Sequence, residues 1–387
     1  MDTRLLHTRL IALVIGVVVA ACAIVGVALA YPQQAESDPA TDYGYVYSGV
    51  KSASVPFVEA SMTDESLLMF GSSEFSTPAS IVPQVPAAVF GGNDYGLRPM
   101  LIGEAYDQSL WHAIALGAYA QAGVPRDKVV IIVGPGWFVD GGMDAETFQT
   151  RFSYALYAGF CANGAIPDDV KAYVRDRLLS LGIDETQVQA SAGSMPQDVL
   201  NAAVFGAIDD LKARQGLAEV RSQGMPLVDD AAAGVPDFAA MREQAIADGE
   251  AMSTTNDWGV EDGFNTKRLE PALADAEGSR TDETYSDTPE YDDLACFLDI
   301  ADACGIEVLV VIGPVMGPYY DLIGITADTR EGCYDRIRTL AAEYANVQVA
   351  DFSDREYEKH FLYDIVHFGT VGWTDVNEAV YAFAMQG

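Results

Sequence analysis

Two short stretches of this chain carry residue types that together could perform acyl transfer. The first is Phe70-Gly71-Ser72-Ser73-Glu74, directly after the apolar run Leu67-Leu68-Met69-Phe70. A serine on a sharp strand-to-helix turn exposes its hydroxyl, and the first N–H groups of the following helix supply donors for an oxyanion. Gly71 permits such a turn. The same residues also read as an ordinary helix N-cap made by Ser72 or Ser73. The second stretch is Asp364-Ile365-Val366-His367-Phe368-Gly369 near the other end of the chain. A loop histidine beside a carboxylate is the base that a serine nucleophile needs. The carboxylate fixes the imidazole tautomer and stabilises the imidazolium that forms. The short spacing from Asp364 to His367 lets both side chains face the same side of one turn.

The other histidines fit other roles. His7 precedes a long apolar run, His112 falls in a helical pattern and reads as structural, and His360 sits in Glu358-Lys359-His360, which reads as a solvated face. The cysteines show no CxxC spacing, so no metal site is expected, and no cofactor is called for. Cys296 and Cys304 lie on one helical pattern, about 12 Å apart at 1.5 Å rise per residue, too far to bridge. With 57 acidic against 22 basic residues and a formal net charge of −35, the surface repels phosphate backbones. Nucleic acid is therefore excluded as a partner. The acidity serves solubility, or attracts a cationic group such as an amine-bearing acyl unit.

These residues need elements to hold them. Short aliphatic runs recur, each closed by a breaker or turn former: Leu67–Phe70 before Gly71, Met100–Ile102 before Gly103, Val129–Val133 before Gly134-Pro135, Val308–Ile312 before Gly313-Pro314, and Val347–Ala350 before Asp351. Those are buried-strand signals. Helical patterns lie between them over Gln108–Ala122, Gln197–Arg214, Pro289–Ala303, Arg330–Tyr344 and Val371–Met385, the third with Thr288 as N-cap and Pro289 at its first position. Strands alternating with helices predict an α/β fold, a parallel sheet flanked by helices on both faces. Sites in such sheets gather at the carboxyl ends of the strands, where the breakers fall. Gly91-Gly92-Asn93-Asp94 reads as a turn.

At the N-terminus, Leu10 to Ala30 is free of charge and long enough to cross a bilayer core of about 30 Å. Arg4 and Arg9 precede it and acidic residues dominate after it, so the remainder is expected outside the cytoplasm. A cleavable signal ending at Ala28-Leu29-Ala30 and a lipoprotein-like Val19-Ala20-Ala21-Cys22 are the competing readings. The expected organisation is a membrane anchor over 1–31, a linker over 32–54 and an extracytoplasmic domain over 55–387. Within that domain, 218–286 is an Ala-, Gly- and acid-rich insertion with no clear strand.

A strand-terminal Gly-x-Ser near the start and DxxH near the end resemble the SGNH (GDSL-like) hydrolases. The resemblance narrows to the DltD family of D-alanyl transfer proteins. It rests on Phe70-Gly71-Ser72-Ser73-Glu74-Phe75 and on Asp364-x-x-His367-x-Gly369-x-x-Gly372-Trp373. It also rests on Met100-Leu101-Ile102-Gly103 leading to Gln108-Ser109-Leu110, on Pro289-Glu290-Tyr291-Asp292-Asp293-Leu294, and on Pro314-Val315-Met316-Gly317 with Tyr319-Tyr320-Asp321. The chain departs from the family pattern at Gly134-Pro135-Gly136-Trp137-Phe138 and at Met316. The resemblance implies an SGNH-like three-layer domain behind one transmembrane helix, a single-pass protein of the cell membrane. It implies Ser73 as nucleophile, His367 as base and Asp364 as its orienting partner. Gly103, Gln108 and Ser72 are expected around the oxyanion and substrate. It further implies D-alanyl transfer to a teichoic acid acceptor, with the D-alanyl donor delivered by a membrane-bound acyltransferase partner. Water as acceptor would make the same residues an envelope esterase or thioesterase. A non-catalytic carrier-binding component is the rival from another class.

Overall fold

A computed structural model describes residues 3–124, 127–189, 196–227 and 234–386. The chain opens with helix α1 (Thr3–Ala30). Its span His7–Ala30 is long and apolar enough to cross a membrane, and none of it is buried against the rest of the chain. Such a helix fits a single-pass anchor.

The five apolar runs form one parallel sheet. Its strands are β1 (Ser66–Phe70), β2 (Arg98–Ile102), β3 (Lys128–Val133), β4 (Glu307–Ile312) and β5 (Val347–Asp351), in the order β2-β1-β3-β4-β5. Phe70 pairs with Ile102, Val133 with Ile312, and Ile312 with Asp351, so the carboxyl ends lie nearly level. The expected strand ends are the observed ones to within a residue.

Alternation along the strands sorts the core into two layers. Leu68, Phe70, Met100, Ile102, Val129 and Val308 face one side. Helices α2 (Ser109–Gln121), α3 (Tyr154–Ala162), α5 (Glu290–Ala303) and α6 (Ala327–Ala341) pack there, α4 (Phe238–Met252) being named in chain order for the other face. Leu67, Met69, Leu101, Val130 and Leu309 face that other side, against Phe238 of α4 and helix α7 (Thr370–Ala384). Such strands are apolar on both faces, which is why they read as continuous runs rather than alternating ones.

Several sequence expectations need adjusting. The second half of the expected linker is folded onto the domain. Thr41-Asp42 pairs antiparallel with Pro226 and Met225, and Lys51 is fully buried, with its Nζ donating to the Tyr43 and Gly44 carbonyls. The Met225-Pro226 partner lies within the segment expected to lack strands. The third helix is regular only from Glu290, but the Pro289 backbone is already helical and Thr288 Oγ1 accepts from the Glu290 N–H, so Thr288 caps it as the sequence suggests. The pattern over Gln197–Arg214 is interrupted by a π-turn at Ala202–Gly206 and then runs on to Gln223.

Within the expected insertion, α4 has a clear structural role. Thr370 donates to the Ala245 carbonyl at 2.7 Å, and Arg242 bonds both Glu358 and Asp375. A Cβ at Gly249 would overlap the His360 ring. His360 is therefore buried rather than solvated, because α4 lies directly on it.

Candidate active site

Strand β1 ends at Phe70, and the Gly71 N–H still bonds the Ile102 carbonyl of β2 at 3.0 Å. The chain then turns sharply into a short 3-10 helix beginning at Ser73. Gly71 is required here by space: a Cβ would overlap Glu74 and Phe75. Gly103, just past β2, has φ +133°, and a Cβ there would overlap the Gly71 carbonyl oxygen. The two strand ends thus touch backbone to backbone. Exchange of Gly103 for alanine combines a left-handed strain with this clash and should cost roughly 3 kcal/mol or more. Chemical denaturation of the variant checks it; a loss below about 1 kcal/mol would mean that the two turns can move apart.

Below this turn, His112 of α2 is fully buried, with Nε2 3.1 Å from the Gly71 carbonyl oxygen and its ring stacked on Trp137. Burial drives its pKa down to about 3, outweighing the Gly71 hydrogen bond. The ring is neutral and donates from Nε2, a structural support for the turn.

Asp364 and His367 approach from the far end of the chain. Their loop is closed by a bridge between Leu362 and Phe368. It is tied to the turn after β4 by the Met316 N–H on the Ile365 carbonyl at 2.9 Å. Asp364 Oδ1 accepts from the Val366 and His367 N–H groups at 2.9 and 2.7 Å. The segment leading in is held by the buried Arg330 of α6, which forks onto the Glu356 carboxylate at 2.7–3.0 Å and also bonds Asp321. A planar guanidinium in such a bidentate contact fixes direction as well as distance.

The two stretches meet. His367 Nε2 lies 2.8 Å from Ser73 Oγ, across 294 residues of sequence. His367 Nδ1 lies 2.6 Å from Asp364 Oδ2. Burial alone would lower the His367 pKa, but the Asp364 hydrogen bond and charge, with the Glu74 charge added, hold it above the ordinary value of 6.5. Tyr363 stacks on the imidazole at 5.9 Å.

Ser72 is turned away from the imidazole. Its N–H donates to Glu74 Oε1 at 2.7 Å and its hydroxyl to the Glu104 carbonyl at 3.2 Å. The Ser73 N–H, at the first position of its helix, is among the donors that a helix leaves unpaired. The Gly103 N–H is not available in the same way. It donates to Ser52 Oγ at 2.9 Å, so Gly103 serves strand packing rather than the oxyanion position. Gln108 lines the same cavity as Ser73 and His367, a space of about 210 Å³.

Three lining residues were not singled out from sequence for this site. Glu74 is buried beside His367; a carboxylate in the first turn of a helix was its available signal. Tyr106 is 70% exposed at φ +70°, a backbone conformation rare outside glycine. Nothing in its neighbourhood announces that. Trp137 belongs to the stretch where the chain departs from the family pattern. Met316, the other departure, is buried in the core and not in the cavity.

A Ser–His–Asp hydrogen-bonded chain at the carboxyl edge of a helix-flanked parallel sheet is an arrangement shared by serine hydrolases and acyltransferases of α/β fold. The comparisons narrow this class. The profile of the family described as DltD protein matches residues 50–385. Protein DltD of Bacillus subtilis (strain 168) is 27% identical over 337 residues, covering 83% of each chain. Protein DltD of Staphylococcus aureus (strain NCTC 8325 / PS 47) is 23% identical, covering 81% of this chain and 79% of the relative. Protein DltD of Lacticaseibacillus rhamnosus is 25% identical, covering 83% and 78%. This chain belongs to the DltD family.

Proposed function

We propose that this protein is a serine acyltransferase that places D-alanyl esters on (lipo)teichoic acid at the outer face of the membrane. The reading is carried by the 2.8 Å contact between Ser73 Oγ and His367 Nε2, formed by motifs at opposite ends of the domain. Family membership supports the D-alanylation pathway as its setting.

In this mechanism Ser73 Oγ attacks the carbonyl carbon of the D-alanyl donor while its proton passes to His367 Nε2. The oxyanion that forms is met by the Ser73 N–H and the positive end of its short helix. Collapse breaks the bond to the donor's leaving group, which takes the proton from His367. A D-alanyl ester on Ser73 remains. A teichoic acid hydroxyl then attacks this ester and gives its proton to His367. The new ester leaves, and the proton returns to Ser73. Asp364 holds the Nδ1 proton throughout and offsets the charge on the imidazolium.

The donor is supplied by a membrane-bound acyltransferase partner, and α1 keeps the domain at the membrane surface. Measuring D-alanine esters on the envelope tests the function: they should fall to background when Ser73 is alanine. Retained esters would favour the non-catalytic carrier-binding reading, and free D-alanine released without any acceptor ester would favour a hydrolase. Orientation has its own test. Protease added to intact protoplasts should digest everything beyond Tyr31; complete protection would refute an outward-facing domain.

A further inference from the structure

The cavity beside Ser73 has an uneven chemistry. Among the described residues no lysine or arginine lines it, and Glu74 is the one carboxylate in its lining. One oxygen of the Glu74 carboxylate is already engaged. Its Oε1 accepts the Ser72 N–H, and it lies tucked under Gly71, behind the nucleophile. Burial pushes its carboxyl pKa up, partly offset by the Ser72 N–H bond and the His367 charge. Gln108, by contrast, stands at the N-terminal end of α2, and its side chain makes no capping hydrogen bond. Its Oε1 is buried and has no partner, yet the residue lines the cavity. A buried acceptor without a donor costs about 1–3 kcal/mol, so such a group in a cavity is suited to a ligand that brings the donor. Ser73 and Gln108 follow the neighbouring strands β1 and β2, and both line this cavity.

We propose that Gln108 reads the acyl unit, its Oε1 accepting a hydrogen bond from the α-ammonium of the aminoacyl group held on Ser73. This deepens the acyl-transfer reading and rests on it. The ligand class is a small acyl group bearing a cation next to its carbonyl. The cavity favours it because the overall acidity of the chain attracts the charge, while Gln108 gives that charge a fixed direction. An acyl group ending in a carboxylate or phosphate would find no lysine or arginine among the described lining residues to pair with. Tyr106, projecting at the same mouth, offers a ring face to the same cation.

The test needs no turnover. Binding of D-alanine methyl ester, and of methyl propionate, which lacks the ammonium, is followed by NMR titration on the full chain carrying Ser73→Ala. Adding Gln108→Leu should weaken the aminoacyl ester about ten-fold or more and the propionate less than about two-fold, since a charge-assisted bond is lost in one case only. Gln108→Glu, which keeps the shape and leaves only acceptor oxygens, should hold or tighten the aminoacyl ester. Equal loss for both esters, or none for either, overturns the assignment. So does loss of aminoacyl binding in Gln108→Glu with propionate binding kept, which also decides the matter if the leucine variant does not fold. The acyl-transfer reading fails separately: an active Ser73→Ala protein in the transfer assay would sink it and leave these binding results standing.

Discussion

Ser73→Ala and His367→Ala should each reduce transfer by about 10⁴-fold or more, and the double variant should be no slower than the slower single one. The reason lies in the 2.8 Å contact. The serine hydroxyl is a poor nucleophile unless a base takes its proton, and the imidazole does nothing for an absent hydroxyl. Each residue acts only through the other, so removing the second costs nothing further. Both variants should fold, since the Ser73 side chain bonds the loop imidazole and His367 sits on a loop pinned by Asp364 backbone bonds and by Met316. The measurement is single-turnover transfer from an acylated donor, with circular dichroism as the control. Losses that multiply would show two independent contributions. A fully active Ser73→Ala protein would leave the carrier-binding reading as the better one. Ser72→Ala should leave the chemical step far less affected, because its hydroxyl bonds the Glu104 carbonyl and not the imidazole.

Four strands of the sheet, β1 to β4, were legible in the sequence because they are buried on both faces, whereas the edge strand β5 is largely exposed. Runs such as Val129–Val133 then have no polar residue to break the signal, and the breaker after each marks the carboxyl end. The meeting of Ser73 with His367 could be named from motif order, but not from local pattern. It depends on Arg330 reaching Glu356 and on Met316 reaching Ile365, contacts between elements whose sequences do not announce one another. The failures have physical causes too. His360 carries charged neighbours, yet α4 covers it through a gap that only Gly249 leaves open. Gly103 has the backbone of an oxyanion donor, but its N–H is taken by Ser52, which comes from the segment expected to be a linker. Tyr106 adopts a left-handed conformation because the Glu104–Asp107 turn, closed by the Asp107 carboxylate on the Glu104 N–H, requires it.

Asp364→Asn should lower the transfer rate by roughly 10³–10⁴-fold and also shift its pH dependence, and the two effects have separate origins. The rate falls because an amide at this position no longer dictates that the proton sits on Nδ1, so Nε2 is not held ready as the base. The pH effect follows from the charge. His367 is buried, which by itself lowers its pKa, and the Asp364 carboxylate and the Glu74 charge raise it above 6.5. His367 accepts the Ser73 proton only when neutral, so the wild-type rate should fall as pH drops through a midpoint above that value. With Asp364 neutralised, burial regains ground and the midpoint should move to lower pH. Stability carries the matching sign. A histidine whose pKa is raised by folding stabilises the fold fully below its unfolded pKa, about 6.5, and loses that contribution as pH rises through the folded pKa. The melting temperature of wild type should therefore exceed that of Asp364→Asn by more below about pH 6.5 than in mildly alkaline buffer. Glu74 faces the same imidazole and remains in the variant, so part of the shift should persist. A rate loss with an unmoved midpoint would mean that Asp364 positions His367 without setting its charge. A midpoint that moved upward would contradict the electrostatic account of this site.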